Sequence, residues 1–244
     1  MLFRLMALLL AGYASVFAQN NPLPARETLH YNVEWRLITA GKATVEWTTT
    51  PRGGGHVNLH LESVGLVSNL FRVEDNYAVN LGPNQCAESS LFTSQEGSRQ
   101  RETRIAYDAA ARKADYVERD RIKNALLLQR QIDIPACVHD VVGGMFYMRT
   151  LPLDVGQSAT VAVTDGKKSA SAKVEAQARE DIKTPEGTFH TIRYEVYLFN
   201  DVLFHRPAHL NLWLTDDRRR LPVQIRVRMQ ITIGTITLTL EKHE

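Results

Sequence analysis

The chain has 244 residues, with 29 Lys+Arg against 27 Asp+Glu and a formal net charge of +2. So balanced a composition argues against dedicated nucleic-acid binding, where phosphate neutralisation calls for a basic excess. A chain of this length can stabilise one large domain or two small ones by burial alone, without a structural metal.

The first segment reads as an address. Arg4 supplies one positive charge, residues 5–17 are apolar apart from Gly12 and Ser15, and Val16-Phe17-Ala18 has the small-x-small pattern of a signal-peptidase site. The apolar run of about 13 residues is too short to cross a bilayer, which takes about 20. Residues 1–18 are therefore expected to be a signal peptide cleaved after Ala18, leaving a periplasmic mature chain with no transmembrane segment. The first cysteine is Cys86, so none follows the apolar run to carry a lipid anchor. Residues 19–28 are expected to be a flexible N-terminus and 29–244 a single β-rich domain.

Period-two alternation dominates the rest of the chain. Leu29, Tyr31, Val33, Trp35 and Leu37 are apolar between polar neighbours, and after Ala40-Gly41 the pattern resumes at Ala43, Val45 and Trp47. That is a hairpin with one buried and one wet face, its turn expected at Ala40-Gly41. A second turn over residues 51–55 precedes Val57, Leu59 and Leu61. Further strands are expected around 77–81, 90–93, 101–107, 113–118 and 126–132. In the second half they recur near 159–164, 170–178, 191–198, 210–214 and 223–233. Apolar residues occupy odd positions from Val223 to Ile233 and even positions from Ile236 to Leu240, with Gly234 between them. A one-residue change of phase at a glycine predicts a β-bulge or sharp bend, with an ordinary turn as the alternative.

Two stretches have helical spacing. Residues 63–72 carry Val64, Val67, Leu70 and Phe71. Residues 139–150 place Val141, Val142, Met145, Phe146 and Met148 mostly on one side, with Asp140 as N-cap and Pro152 beyond the end. Gly143-Gly144 inside the second costs up to ~2 kcal/mol relative to two alanines, so packing must support it. The predicted fold is all-β: a single curved, mostly antiparallel sheet forming a spiral or incomplete barrel, with one or two short helices. The second helix is expected to plug an open end.

Cys86 and Cys137 are the only cysteines. In an oxidising compartment they read most simply as one disulfide, with two separate buried thiols as the alternative. Catalytic signatures are sparse. There is neither a Gly-x-Ser-x-Gly elbow nor a His-Glu-x-x-His motif. Gly166-Lys167-Lys168-Ser169 lacks the upstream glycine of a phosphate loop and reads as a β-turn. His56 and His60, like His205 and His209, stand four apart, which on a strand is ~13 Å and too far to share a metal. Cys137 and His139 would suit a thiol nucleophile and base only if the sulfur were free. No metal and no cofactor is expected. The basic residues from Arg99 to Lys123 are interrupted by acids and read as a charge-paired outer face, with contact to anionic headgroups as the minority alternative. Asp216, Asp217 and Arg218 read as a turn, or alternatively as a binding rim.

Several strings together resemble the bacterial domain-of-unknown-function family 3108. They are Tyr31-Asn32-Val33-Glu34-Trp35 with Ala40-Gly41-Lys42-Ala43, Asp140-Val141-Val142 with Phe146-Tyr147-Met148-Arg149, Thr184-Pro185-Glu186-Gly187-Thr188-Phe189, and Trp213-Leu214-Thr215-Asp216-Asp217 with Arg220-Leu221-Pro222-Val223. The resemblance implies an exported envelope protein with a curved antiparallel sheet, loosely similar in type to the envelope integrity protein B spiral and the Lol lipoprotein carriers. It implies no catalytic residues. The expected function is non-enzymatic: a carrier or binder of a lipid or other apolar ligand in the concave face, with Tyr31, Trp35, Trp47 and Phe146 as candidate lining. The alternative is a structural or interaction protein of the envelope with no small ligand. The expected partner is a lipid or another envelope component, not nucleic acid; the oligomeric state is left open.

Overall fold

The computed structural model describes residues 23–229 and 234–244. The expected signal peptide and its cleavage site after Ala18 lie outside the described residues. The first half of the chain forms β1 (Arg26–Trp35), β2 (Ile38–Thr49), β3 (Gly55–Ser63), α1 (Gly65–Leu70), β4 (Val73–Leu81), β5 (Ala87–Glu96), β6 (Arg99–Asp108), β7 (Lys113–Asp120) and β8 (Ala125–Asp133). A two-residue β9 (His139–Asp140) then leads into α2 (Val141–Thr150). The second half forms β10 (Ser158–Thr164), β11 (Ser169–Thr184), β12 (Gly187–Val196), β13 (Ala208–Thr215), β14 (Pro222–Met229) and β15 (Thr235–His243).

All fifteen strands belong to one sheet, in which β1–β8 and β10–β15 are two runs of antiparallel neighbours. Pairing of β1 with β15 joins the runs, so the first and last described strands meet at the middle of the sheet. Among the described residues only β9 pairs parallel, with β10. The hydrogen-bonded order begins at β8 and ends at β9, so the sheet does not close. It curls instead until the β10–β11 turn meets β6, β7 and β8. There Ser169 donates to the Asp133 carbonyl (3.1 Å), Arg130 donates to the Lys167 carbonyl (3.2 Å), and Gly166 packs against Ile105 and Tyr116. The expected incomplete barrel is the architecture observed.

Alternation sets the faces. In β1, Leu29, Tyr31 and Val33 are buried between less buried neighbours, and in β2 Ala43, Val45 and Trp47 do the same. The first hairpin turns at Arg36 and Leu37, not at Ala40-Gly41, where the β1–β2 register shifts by one residue. The glycine signal marked a bulge inside β2. Gly41 is needed there because a Cβ would stand 2.4 Å from the Glu62 carbonyl oxygen of β3.

Gly234 produces the opposite correction. The alternative of two strands joined by a turn is what is observed: β14 and β15 pair antiparallel, with Val227 opposite Ile236 and Ile225 opposite Leu238. Each pair joins an odd to an even position, so a common inward face requires the observed change of phase. The alternation recorded the parity of a hairpin.

The N-terminus also departs from expectation. Leu23 is buried, the Pro24 carbonyl accepts from Trp47 Nε1 (2.9 Å) and Thr49 Oγ1 (2.8 Å), and β1 begins at Arg26. Residues 23–28 are tied into the sheet rather than flexible, because they complete its pairing with β2 and β15. The first helix is shorter than expected, six residues with none buried.

Candidate functional site

Helix α2 organises the interior. The Asp140 carboxylate caps it, Oδ1 accepting from the amides of Val142 (2.9 Å) and Gly143 (3.0 Å) and from the Tyr77 hydroxyl (3.2 Å). Burial pushes the Asp140 carboxyl upward, against the pull of these donors. The disulfide between Cys86 and Cys137 fixes the segment entering the helix to the turn after β4. His139 stacks on Tyr147 with ring centroids 4.0 Å apart and hydrogen-bonds the Gln85 carbonyl through Nδ1 (2.7 Å), so Nδ1 carries the proton. Its burial lowers the imidazole pKa.

The C-terminal half of α2 is held by an ion pair that no sequence signal announced. Arg149, fully buried, clamps the Glu27 carboxylate of β1 with both terminal nitrogens and also donates to the Arg219 carbonyl (3.1 Å). Beside it Phe146 stacks on Trp47, with centroids 4.8 Å apart and planes at 21°. These contacts seat α2 at the end of the barrel where β1 begins and β4 finishes, as the plug expected there.

The other side of α2 is not filled. Between it and the concave face of β10–β15 lies a cavity of ≈ 270 Å³. Its walls include Met145 and Met148 from the helix, Val163 and Ala172 from β10 and β11, and Leu212 and Ile225 from β13 and β14. Phe199 and Phe204, in the β12–β13 connection, tilt against each other with centroids 5.3 Å apart. These two are half-buried wall residues, and Val141 at the start of α2, 40% exposed, is the most exposed part of the wall. Asp140 is the only ionisable wall residue apart from Tyr31, and its Oδ1 is committed to the helix cap. The space amounts to about nine water-sized groups at ~30 Å³ each, enough for a medium-length alkyl segment.

Of the four candidate lining residues, the structure brings only Tyr31 to the cavity. Its hydroxyl donates to the Pro222 carbonyl (2.7 Å), and burial raises its pKa. Trp47 and Phe146 are inward as expected but spend their surface on each other, on the packed side of α2. Trp35 shares the parity of Tyr31, yet it ends β1 beyond the cover of the helix and is 37% exposed. Period two identifies a face of a strand, not what lies above it.

Asp216, Asp217 and Arg218 lie between β13 and β14, and none lines the cavity. Asp217 accepts from Thr215 Oγ1 (2.7 Å) and from the Arg219 and Arg220 amides, while Asp216 pairs with Arg179 (2.7 Å). This is a turn with internal partners. The Gly166 segment is likewise a turn, in which Asp165 accepts from the amides of Lys167 and Lys168. His56 and His60 each hydrogen-bond neighbouring asparagines, while His205 and His209 pair with Asp201 and Glu195. Among the described residues no three ligating side chains converge. Cys137 is spent in the disulfide.

Two signals could have revealed the cavity. Ala170, Ala172 and Ala176 are small inward residues of β11 where larger ones would fill a core, and Ala172 lines the cavity. Met145 and Met148, flexible and unbranched, face them.

Among known proteins, the family described as "Protein of unknown function (DUF3108)" matches residues 30–241. No curated protein matches the chain. A β-barrel-like protein of the DUF1849 family from Brucella abortus superposes with a TM-score of 0.58 at 7% identity, covering 90% of this chain and 97% of its own. It shares the fold. A DUF1089 family protein from Pseudomonas aeruginosa aligns at 12% identity with a TM-score of 0.42, over 78% of this chain and 90% of its own.

Proposed function

The chain belongs to the DUF3108 family of proteins of unknown function, and we propose that it is a non-enzymatic, exported envelope protein that binds an acyl chain or similar apolar ligand beneath α2. The observation that carries this reading is the apolar cavity of ≈ 270 Å³ between α2 and the sheet. Protein interiors normally leave few voids larger than a water, and an apolar space of this size lies near the lower bound of ligand sites. Asp140 caps α2 through Oδ1 while its buried Oδ2 has no hydrogen-bond partner, and the rest of the lining is almost wholly apolar, which suits an alkyl group better than a sugar or nucleotide. Export is supported by the layout of residues 1–18 and by the Cys86–Cys137 bond, a linkage that persists in oxidising compartments such as the periplasm.

The test is mass spectrometry of organic extracts from the mature protein purified from its native envelope, beside an Ala172→Phe variant. Ala172 is fully buried on the cavity wall, so a phenyl ring there occupies the ligand's space. Lipid recovered with the wild type and lost from a folded variant supports binding. No lipid in either, together with no uptake of an environment-sensitive fatty-acid probe, favours the second reading of a purely structural envelope protein.

A further inference from the structure

One end of the barrel carries most of the exposed apolar surface. Because neighbouring strands are antiparallel, the β1–β2, β3–β4, β5–β6 and β7–β8 connections all leave from the end opposite the α2 plug. Of the eleven large apolar side chains exposed among the described residues, seven stand in or beside these connections. Leu37 is 94% exposed, Leu70 78%, Leu66 68% and Ile122 61%. Scattered single hydrophobes on a surface need no explanation; a concentration at one end does. Helix α1 presents Leu66 and Leu70 while burying nothing, and Phe71 leans on the β5–β6 turn against Gly97.

The backbone of the β1–β2 turn points the same way. Arg36 and Leu37 both have left-handed conformations, φ 50° and 69°. A two-residue turn of this kind suits Asn-Gly, and a leucine there is strained. The sequence retains the strain and gains an almost fully exposed leucine at the tip.

The same connections are basic. Arg36, Arg99, Arg121 and Lys123 stand beside the apolar tips, against Glu96 and Asp120, while Arg72 is paired with Glu74 at 2.6 Å. Asp120 turns its carboxylate into its own loop, accepting from the Ile122 and Lys123 amides at 2.9 Å. Apolar tips on separate loops, most of them beside cations, do not form the continuous groove that a partner helix would need. They match a flat, deformable, anionic surface with an apolar layer just below it.

We propose that these loops seat the protein on an anionic phospholipid bilayer, with Leu37, Leu66, Leu70 and Ile122 entering the headgroup–acyl boundary and the Arg and Lys side chains at the phosphates. Phe199 and Phe204, half-buried residues of the cavity wall, lie in the β12–β13 connection, which leaves the sheet from this same end. Docking would bring these two wall residues toward lipid, although the proposal does not depend on the cavity being filled.

The experiment is co-sedimentation of the mature chain with phosphatidylglycerol/phosphatidylethanolamine vesicles and with phosphatidylcholine vesicles, at low and high salt. The wild type is expected to partition to the anionic vesicles and to weaken with salt. The Leu37→Ser/Leu66→Ser/Leu70→Ser variant should lose at least about tenfold in partitioning, since each leucine gives up its burial in the acyl layer. The Arg36→Gln/Arg121→Gln/Lys123→Gln variant should lose the preference for anionic over neutral lipid. Leu37→Gly should raise the thermal midpoint while lowering partitioning, a pairing of signs that a merely structural leucine would not give. Equal partitioning of the wild type to both vesicles, or unchanged binding by a triple-serine variant with a native thermal midpoint, overturns the proposal.

Discussion

Replacing Arg149 by methionine should be among the most damaging single changes available outside the hydrophobic core. The guanidinium is fully buried, the Glu27 side chain is 9% exposed, and two parallel hydrogen bonds join them, with a third to the Arg219 carbonyl. Arg149→Met keeps the apolar stem against Phe146 but strands a carboxylate in a site with little access to water. Removing one partner of a buried pair costs about 3–5 kcal/mol. For a chain of this size that is a drop of roughly 10 °C in Tm, at ~2–4 °C per kcal/mol. Arg149→Met/Glu27→Leu should recover most of the loss, to within ~1 kcal/mol of wild type, because a hydrophobic pair of similar volume avoids the desolvation penalty. Urea denaturation followed by circular dichroism, analysed with a common m-value, measures all three proteins. A cost below about 1 kcal/mol for Arg149→Met, or a double variant no more stable than that single, would refute the claim that this pair holds α2 as a plug.

Three further outcomes follow from particular contacts. Gly144→Ala should stabilise by up to about 1 kcal/mol, since the added Cβ meets only the His139 Cβ at 3.8 Å, whereas Gly143→Ala should destabilise by ~1–2 kcal/mol, because its Cβ would stand 2.6 Å from Leu81 Cδ2 and 2.7 Å from Asp140 Oδ2; thermal melts of the two variants moving in the same direction would contradict this. Asp75, buried and near Glu96, has its carboxyl pushed from 3.8 up to about 6. The folded state therefore binds this proton more tightly than the unfolded state, and the group's contribution falls as pH rises from about 4 to 6. Asp75→Asn, which can still accept from the Gln95 amide, should be more stable than wild type at pH 7.5, an advantage that shrinks toward pH 4. Comparing urea midpoints at both pH values checks the sign. Opening the disulfide with Cys86→Ser/Cys137→Ser should cost about 4 kcal/mol by the chain-entropy relation for a separation of 51 residues. Wild type measured with and without reductant gives the same difference independently.

Much of the β architecture was legible because a strand writes its burial into every second residue. The alternation at 29–33 and 43–47 survives as buried faces of β1 and β2, and Asp140 caps the helix as its place before an apolar run implied. The errors fell where a local signal had two physical causes. Ala40-Gly41 marked a bulge rather than a turn, and Gly234 marked the parity of a hairpin rather than a bend. The true first turn went unseen because Arg36-Leu37 carries none of the residues such a turn prefers.

The sequence by itself determined most of the strands and the alternation of their faces, while the bond between Cys86 and Cys137 was settled only where the fold brings them together. Tertiary structure alone decided which inward residues meet one another. Tyr31 and Trp35 sit on one face of one strand, yet the first lines the cavity and the second reaches solvent. Arg149 looks like a surface cation until β1 brings Glu27 across 122 residues of chain to meet it. Periodicity is a property of the local backbone. A cavity or a buried charge pair is instead a sum over elements far apart in sequence, fixed only when the sheet curls and α2 plugs its end.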